Sequence, residues 1–168
     1  MYSRRLASLI LLLVSVLMVS SATAEFRIES LDYNFPEEIS EAVADGKQLV
    51  IMFHQDNCPF CDKMRTRVFP DAKVDAYYSQ KFVMLEANIR GNLEVVAPNG
   101  KRMTERKLAK SLRVRATPVF LFFDKSGKQA LRLTGFLDAE LFVRAGQYVA
   151  EGFHKKRDSF YRYLKGAE

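Results

Sequence analysis

Residues 48–61 read QLVIMFHQDNCPFC, and this short segment joins an apolar run to two closely spaced cysteines. The run from Gln48 to Phe53 is short and contains Val and Ile, which is typical of a buried strand. A polar turn from His54 to Asn57 leads into the Cys58–Cys61 motif. Pro59 suits the first turn of a helix, where its missing N–H has no intrahelical partner. The segment therefore predicts a strand, a turn and a helix that begins at the first cysteine.

Cys58 and Cys61 are the only two cysteines in the chain. A disulfide between them closes so short a loop that it constrains the unfolded chain little, which favours redox chemistry over stapling. Cys58 stands at the predicted helix N-terminus, where free N–H groups and the helix dipole favour the nucleophilic thiolate. Cys61 lies one turn further along and is close enough to attack a mixed disulfide on Cys58. We therefore predict that Cys58 attacks and that Cys61 resolves.

Other uses of a C-x-x-C pair are less consistent with the residues present. A structural zinc site needs four ligands, and besides the cysteines the chain offers only His54 and the remote His154. Covalent haem attachment needs C-x-x-C-H, and Asp62 occupies the histidine position. A purely structural disulfide stays open, and so does a copper-handling protein, because thiolates suit Cu(I). For disulfide exchange we predict no cofactor and no metal.

Hydrophobic patterning and turn signals predict the remaining elements. Asn99-Gly100 indicates a small hairpin inserted between residues 90 and 103. Strands separated by helices predict parallel crossovers, whereas two strands joined by a tight turn are antiparallel, so the pattern predicts an α/β fold with a mixed sheet flanked by helices. The predicted helices are Pro36–Asp45, Pro59–Val68, Ala72–Tyr78 capped by Asp71, a helix to Leu112 capped by Thr104, and Ala139–Val149 capped by Asp138; the strands are Gln48–Phe53, Lys81–Asn88, Val119–Phe123 and Ala130–Thr134.

The N-terminus has the layout of an export signal. Two arginines precede an almost wholly apolar run from Leu6 to Val19, and a pattern of small residues ends at Ala24. This arrangement predicts a secretory signal peptide over residues 1–24, which leaves residues 25–168 as the mature, exported and soluble domain. The apolar run is short for a membrane span, and an uncleaved N-terminal anchor is the alternative.

The chain is mildly basic, with a formal net charge of +6 over 168 residues. Part of this charge lies in an aromatic and basic tail, Phe153 to Leu164, which we predict to be one more packed helix. A basic tail can contact acidic partners, but a solvated helix face explains it more simply. Nothing in the composition indicates a nucleic-acid partner.

Over about residues 36–149 the sequence resembles the thioredoxin superfamily. The resemblance rests on the strand that leads into Cys58–Cys61, on Ala116-Thr117-Pro118 before an apolar strand, and on the hairpin from Phe122 to Phe136. It implies a thioredoxin fold with an additional C-terminal helix. Such proteins are thiol–disulfide oxidoreductases, so the resemblance agrees with the chemistry that the cysteine pair predicts.

The resemblance also implies roles for particular residues. Pro118 is expected to be the cis-proline that faces the redox pair, and Thr117 to offer its backbone to a substrate strand beside Cys58. Pro59 and Phe60, between the cysteines, complete the expected substrate-binding surface. A trans proline that opens a strand is the alternative for Pro118.

Within the superfamily the chain is similar to periplasmic SoxW-like thioredoxins, on His54-Gln55 and the segment Cys61–Arg65. It is also similar to the C-terminal thioredoxin-like domain of DsbD, on Leu85–Asn88 and Thr134–Phe136. These similarities imply a periplasmic protein that reduces oxidised protein thiols and is recharged by a membrane thiol electron carrier of the DsbD or CcdA type. A thiol oxidase or isomerase is the alternative direction of the same chemistry.

Two positions depart from the thioredoxin pattern. Asn57 stands where thioredoxins usually carry Trp, and Met52 stands where they usually bury an Asp that accepts a proton from the resolving cysteine. Glu86, on the neighbouring predicted strand, is the candidate proton relay in its place. A carboxylate exposed to water at the strand edge is the equally simple alternative, since buried acids are rare unless paired or functional.

Overall fold

A computed structural model gives the fold of residues 26, 27, 30, 32–156 and 159–166. The predicted signal peptide, residues 1–24, lies outside the described residues. The division into a signal peptide and a domain over residues 25–168 therefore stays a prediction.

A mixed sheet forms the centre of the fold, as predicted. In chain order the strands are β1 (Gln48–His54), β2 (Phe82–Asn88), β3 (Glu94–Val96), β4 (Arg102–Thr104), β5 (Val119–Phe123) and β6 (Gln129–Thr134). The main sheet has four strands in the order β2-β1-β5-β6, and β3 pairs with β4 as the separate hairpin that Asn99-Gly100 predicts. Strands β1 and β5 are almost wholly apolar because both of their faces are covered.

Helices cover both faces of the sheet. They are α1 (Phe35–Ala44), α2 (Pro59–Lys63) with a π-helical continuation (Met64–Val68), α3 (Ala72–Lys81), α4 (Glu105–Ser111), α5 (Ala139–Ala150) and α6 (Phe160–Lys165). The three predicted caps are confirmed, because the side chains of Asp71, Thr104 and Asp138 accept hydrogen bonds from backbone N–H groups in the first turns of α3, α4 and α5.

The direction of β5 differs from the prediction for strands separated by helices. Strand β1 is parallel to β2, as predicted, but antiparallel to β5. The connection between β2 and β5 contains both the β3–β4 hairpin and α4, and it begins and ends at the same edge of the sheet. At that edge Asn88 lies opposite His54, and Val119 lies opposite Phe53. The chain therefore re-enters the sheet in the opposite direction.

The tail also differs from the prediction of a single helix. It forms a 3₁₀ turn (Phe153–Lys156) and then α6, which begins after Ser159. The Ser159 hydroxyl accepts a hydrogen bond from Arg162 N and so starts a separate helix. Both pieces pack on α5 through an aromatic cluster, formed by Tyr148, Phe153, Phe160 and Tyr163.

The side chains of the sheet divide into two cores because neighbouring strand residues point to opposite faces. One core contains Met52 and both cysteines, together with aromatic residues from β5 and α5. At its centre the rings of Tyr78 and Phe142 stack 4.3 Å apart, and the Tyr78 hydroxyl donates to Phe142 O at 2.7 Å. Burial raises the pKa of Tyr78 well above its ordinary value. The redox pair is therefore part of the same core as these aromatic residues.

A buried aspartate organises the turn between β5 and β6. Asp124 Oδ1 accepts hydrogen bonds from Ser126 N, Ser126 Oγ and Lys128 N, and Asp124 Oδ2 lies 3.5 Å from His154 Nε2 in the 3₁₀ turn. Burial alone would raise the pKa of Asp124, but the hydrogen bonds from Ser126 and Lys128, together with the nearby His154, outweigh it and hold the pKa below its ordinary value. The ionised form is thus stabilised in the folded protein.

We predict that Asp124→Asn lowers the free energy of unfolding by about 1–3 kcal/mol at neutral pH, because a charged acceptor is lost. A carboxyl whose pKa is lowered by folding contributes stability above its unfolded pKa of about 3.9 and loses it as pH falls through the folded value. The difference between wild type and variant should therefore be full above about pH 5 and shrink below about pH 4. Urea unfolding across this range measures it, with the exposed Asp45→Asn as control; a difference that does not change with pH would contradict the prediction.

Candidate active site

The structure joins Cys58 to Cys61 in a disulfide, with their Cα atoms 5.2 Å apart. Cys58 is the N-cap residue of α2, and its sulfur accepts a hydrogen bond from Cys61 N at 3.2 Å. Cys61 is completely buried, whereas Cys58 is 4% exposed. The outer sulfur is therefore the one that a partner can reach first, and a backbone N–H is already aimed at it.

Helix α2 starts at Cys58 because the sequence before it forms a sharp turn. Asn57 has a φ of 55°, in the left-handed region that Asn tolerates better than most residues. Asp56, in the same turn, accepts a hydrogen bond from Asn88 Nδ2 at 3.2 Å. Asn57 thus has a local role in shaping the turn.

The same turn is connected to α4 through a buried carboxylate. Glu105 Oε1 accepts a hydrogen bond from Asn88 N at 2.8 Å. Gly91 leaves room for this carboxylate, because a Cβ at that position would clash with the Glu105 side chain. The chain of contacts from Glu105 through Asn88 to Asp56 positions the loop that carries Cys58.

Thr117 and Pro118 lie directly beside the disulfide. The Thr117–Pro118 peptide bond is cis. Thr117 Oγ1 donates to Cys58 Sγ at 3.3 Å, and Pro118 O accepts from Gly135 N at 2.8 Å, which ties the segment to the end of β6. Pro118 is buried, and Thr117 is partly exposed. A hydroxyl donor from the loop before β5 therefore contacts the sulfur of Cys58.

The remaining residues of the expected substrate surface are exposed. Pro59 is exposed, and Phe60 is 56% exposed, which is unusual for so large an apolar side chain. Phe136, next to the Pro118 contact at Gly135, is covered by the Lys63 ammonium group 4.1 Å from its ring centre. The structure thus brings Pro59, Phe60, Thr117 and Pro118 to the rim of one disulfide.

Glu86 lies on the core face of β2 beside Met52, its partner in the β1–β2 register. It forms an ion pair with Arg65, whose Nε lies 3.1 Å from both carboxylate oxygens, and it lies 3.9 Å from His54 Nε2. Asp62 also pairs with Arg65, at 3.1 Å. The hydrogen bond to Glu86 raises the pKa of Arg65 against the opposing effect of burial, so the guanidinium stays charged. Met52 itself is completely buried.

Sequence reasoning missed Arg65 and the Glu105–Asn88–Asp56 contacts. Arg65 follows Cys61 by four residues, and this spacing places both on one side of a helix, so the signal was present. Glu105 gave no comparable signal, because its partner is a backbone N–H on a distant strand.

Neither a metal cluster nor a membrane helix is found in the part of the chain that the structure describes. There, no group of three or more His, Cys, Asp or Glu side chains is arranged to hold a metal ion. The three-ligand set that the copper hypothesis needs is therefore not assembled among these residues. Within the same residues, no helix combines the length and the hydrophobicity that crossing a bilayer requires.

Comparisons with known proteins agree with this geometry. A family model described as a thioredoxin-like domain matches residues 35–150. Over 108 residues the chain is 31% identical to the thiol:disulfide interchange protein DsbD of Ralstonia nicotianae, a match that covers 64% of this chain and 16% of that protein. The chain spans less than a fifth of the length of the curated relatives that it matches.

Solved structures show the same fold. A thioredoxin-fold protein from Helicobacter pylori superposes with a TM-score of 0.61 at 17% identity and covers 88% of this chain and 91% of its own. The oxidised C-terminal domain of Neisseria meningitidis DsbD superposes with a TM-score of 0.53 at 17% identity and covers 68% and 89%. The predicted mixed sheet with flanking helices is thus confirmed as a thioredoxin fold.

We predict that Thr117→Val lowers the rate of alkylation of Cys58 in the reduced protein by about fivefold near pH 6. The hydroxyl that now donates to Cys58 Sγ would stabilise the thiolate, and one hydrogen bond contributes about 1 kcal/mol. Iodoacetamide trapping with mass spectrometry measures the rate, and Thr134→Val, at an exposed strand position, is the matched control. Equal rates for the two variants would show that the hydroxyl has no such effect.

Proposed function

We propose that this chain, which belongs to the thioredoxin-like domain family and is a thiol–disulfide oxidoreductase by class, works as a reductase of protein disulfides outside the cytoplasm. The observation that carries the proposal is the surroundings of Cys58. This cysteine caps a helix, accepts hydrogen bonds from Cys61 N and Thr117 Oγ1, and lies beside an exposed Phe60. Such surroundings favour a thiolate that an extended partner segment can reach.

The reaction follows from the different burial of the two sulfurs. In the reduced protein the Cys58 thiolate attacks one sulfur of a client disulfide, forms a mixed disulfide and releases the other client sulfur as a thiolate. The buried Cys61 thiol then loses its proton and attacks Cys58 Sγ. The Cys58–Cys61 disulfide forms, and the second client sulfur leaves and takes up a proton. The client gains two electrons and the protein loses two.

The proposed substrate surface consists of Thr117, Pro118, Pro59 and Phe60. Proline cannot donate a backbone hydrogen bond, so the polar backbone groups of Thr117 are the ones available to an extended client beside Cys58. Phe60 offers apolar area next to the same sulfur. Contacts of this kind would hold the client sulfur in line for attack.

Glu86 is the proposed proton relay for Cys61. It occupies the core face beside Met52, where the apolar side chain has no acceptor for a proton, and it contacts both Arg65 and His54. Arg65 is fixed on the helix one turn after Cys61. The register of Glu86 with Met52 and the position of Arg65 one turn after Cys61 support this assignment.

Export and the electron donor belong to the same proposal. The apolar N-terminal segment supports secretion to the periplasm, where oxidised protein thiols are the available substrates. A reductase in an oxidising compartment needs a source of electrons, and the similarity to DsbD makes a membrane thiol carrier of the DsbD or CcdA type the expected donor. A thiol oxidase would instead need an acceptor for the electrons that it takes from its substrates.

The redox potential of the Cys58–Cys61 pair tests the direction. Equilibration against a glutathione series, read by thiol alkylation, should give a value near about −270 mV for a reductase, whereas about −120 mV would identify an oxidant. Cys58→Ser should abolish insulin reduction, and Cys61→Ser should accumulate a mixed disulfide through Cys58. Full activity in Cys58→Ser would refute the proposed chemistry.

Removing the charge of Glu86 tests the relay. We expect Glu86→Gln to slow the resolution of a preformed mixed disulfide at pH 6–7 by about a hundredfold, which is the lower end of the effect of one general base. The defect should shrink as the pH rises, because the Cys61 thiol then ionises without help. Stopped-flow kinetics measure the resolution step, and Glu94→Gln on β3 is the control. A defect of equal size at every pH would indicate a structural effect instead.

A further inference from the structure

Arg65 joins the continuation of the cysteine helix to strand β2. Its Nε donates to both carboxylate oxygens of Glu86 at 3.1 Å, and its Nη2 donates to Glu86 Oε2. Its Nη1 donates to Asp62 Oδ1 at 3.1 Å. All three nitrogens of the guanidinium are therefore engaged. A forked contact of this kind fixes the direction of a carboxylate as well as its distance.

The helix has an unusual turn at this arginine. Residues Met64–Val68 are π-helical, and Phe69 N donates to Met64 O at 2.9 Å to close the turn. Met64 and Val68 are buried in the core that contains both cysteines, whereas the Arg65 side chain is 26% exposed. Single π-helical turns are rare and occur frequently at functional sites. The guanidinium thus leaves the helix about one turn after the resolving cysteine.

Glu86 depends on Arg65 for its position. The register partner of Glu86 in β1 is Met52, which is completely buried and offers no hydrogen-bond donor. His54 Nε2 lies 3.9 Å from Glu86 Oε2, which is too long for a hydrogen bond. Among the described residues, Arg65 therefore supplies the hydrogen bonds to this carboxylate. The Glu86 side chain is 24% exposed, so water is the alternative partner of a carboxylate that Arg65 does not hold.

Asp62 keeps Arg65 paired when Glu86 is neutral. A carboxylate that takes up a proton loses its charge, whereas a guanidinium stays charged. A partly buried cation without a counter-ion is unfavourable. The contact between Arg65 and Asp62 lies within one helical segment and does not involve Glu86. Arg65 therefore retains an ion pair in both protonation states of Glu86.

We propose that Arg65 is a positioning residue, which holds the Glu86 carboxylate in place to accept the proton of Cys61 during resolution. The inference rests on the proposed function and adds a residue to it. In this step the S–H bond of Cys61 breaks and its proton moves to Glu86. The Cys61 sulfur then forms a bond with Cys58 Sγ, the bond from Cys58 to the client sulfur breaks, and its electron pair leaves with the client. The client thiolate takes up a proton from water, and Arg65 itself neither gives nor takes one.

Stopped-flow reduction of dithiobis(nitrobenzoate), a chromogenic disulfide, separates the two steps when the protein is in excess. The first thiolate released reports attack by Cys58, and the second reports resolution by Cys61. At the pH of the Glu86→Gln test, Arg65→Gln should slow the second release by about tenfold and change the first by less than about twofold, because a misplaced base affects only the proton transfer. Arg65→Lys keeps the charge but not the forked geometry, and it should slow the second release by only about threefold.

The double variant R65Q/E86Q tests whether Arg65 acts through Glu86. It should resolve no more slowly than Glu86→Gln alone, because two losses in the same step are not additive. The matched control is Arg67→Gln, at an exposed arginine of the same π-helical turn. It makes the same charge change, and both releases should keep the wild-type rate.

The possible failures are distinguishable. A wild-type second release in Arg65→Gln, equal slowing of both releases, or additive losses in the double variant would overturn the inference while the disulfide chemistry stands. A double variant that resolves faster than Glu86→Gln would assign the defect of that variant to an unpaired guanidinium, and would overturn the relay together with the inference. No release by the wild-type protein would overturn the proposed function itself.

Discussion

The pairing of β1 with a parallel neighbour on one side and an antiparallel neighbour on the other is the constraint on which the site depends. Because β2 ends and β5 begins at the same edge, the cysteine turn after β1 and the Thr117–Pro118 segment before β5 meet there. The hydrogen bond from Thr117 Oγ1 to Cys58 Sγ exists only because of this topology. A parallel β5 would place Pro118 at the far end of the sheet.

Around this meeting point, charge is distributed unevenly. The interior side of the redox pair is apolar at Met52, and Glu86, the partner of Met52 on the neighbouring strand, pairs with Arg65 from the continuation of the cysteine helix. Because Glu86 lies on β2 and Arg65 on the continuation of α2, their ion pair ties the helix to the sheet. On the outer side, charged side chains of both signs are exposed at the same edge, among them Asp56, Asp138, Arg113 and Arg115.

The turn geometry shows how local and distant contacts work together. Asn57 adopts a positive φ that its side-chain type tolerates, but the turn is also fixed from outside by Asn88 and, through it, by Glu105 at the start of α4. The inserted hairpin and α4 are thus coupled to the loop of Cys58. At the opposite end of the sheet, Asp124 connects the β5–β6 turn to the 3₁₀ turn of the tail.

By itself the sequence determined what depends on neighbours along the chain. The apolar run before Cys58, proline at the helix start, the caps Asp71, Thr104 and Asp138 and the turn at Asn99-Gly100 are all local signals, and the corresponding elements lie where these signals predict them. The chemistry of the cysteine pair followed from its spacing. Only the tertiary structure decided the direction of β5, the break in the tail, the pairing of Arg65 with Glu86 and the link from Glu105 to Asp56. These features join residues far apart in sequence, and their geometry is set by which strands pair and at which edge, a choice that no local propensity encodes.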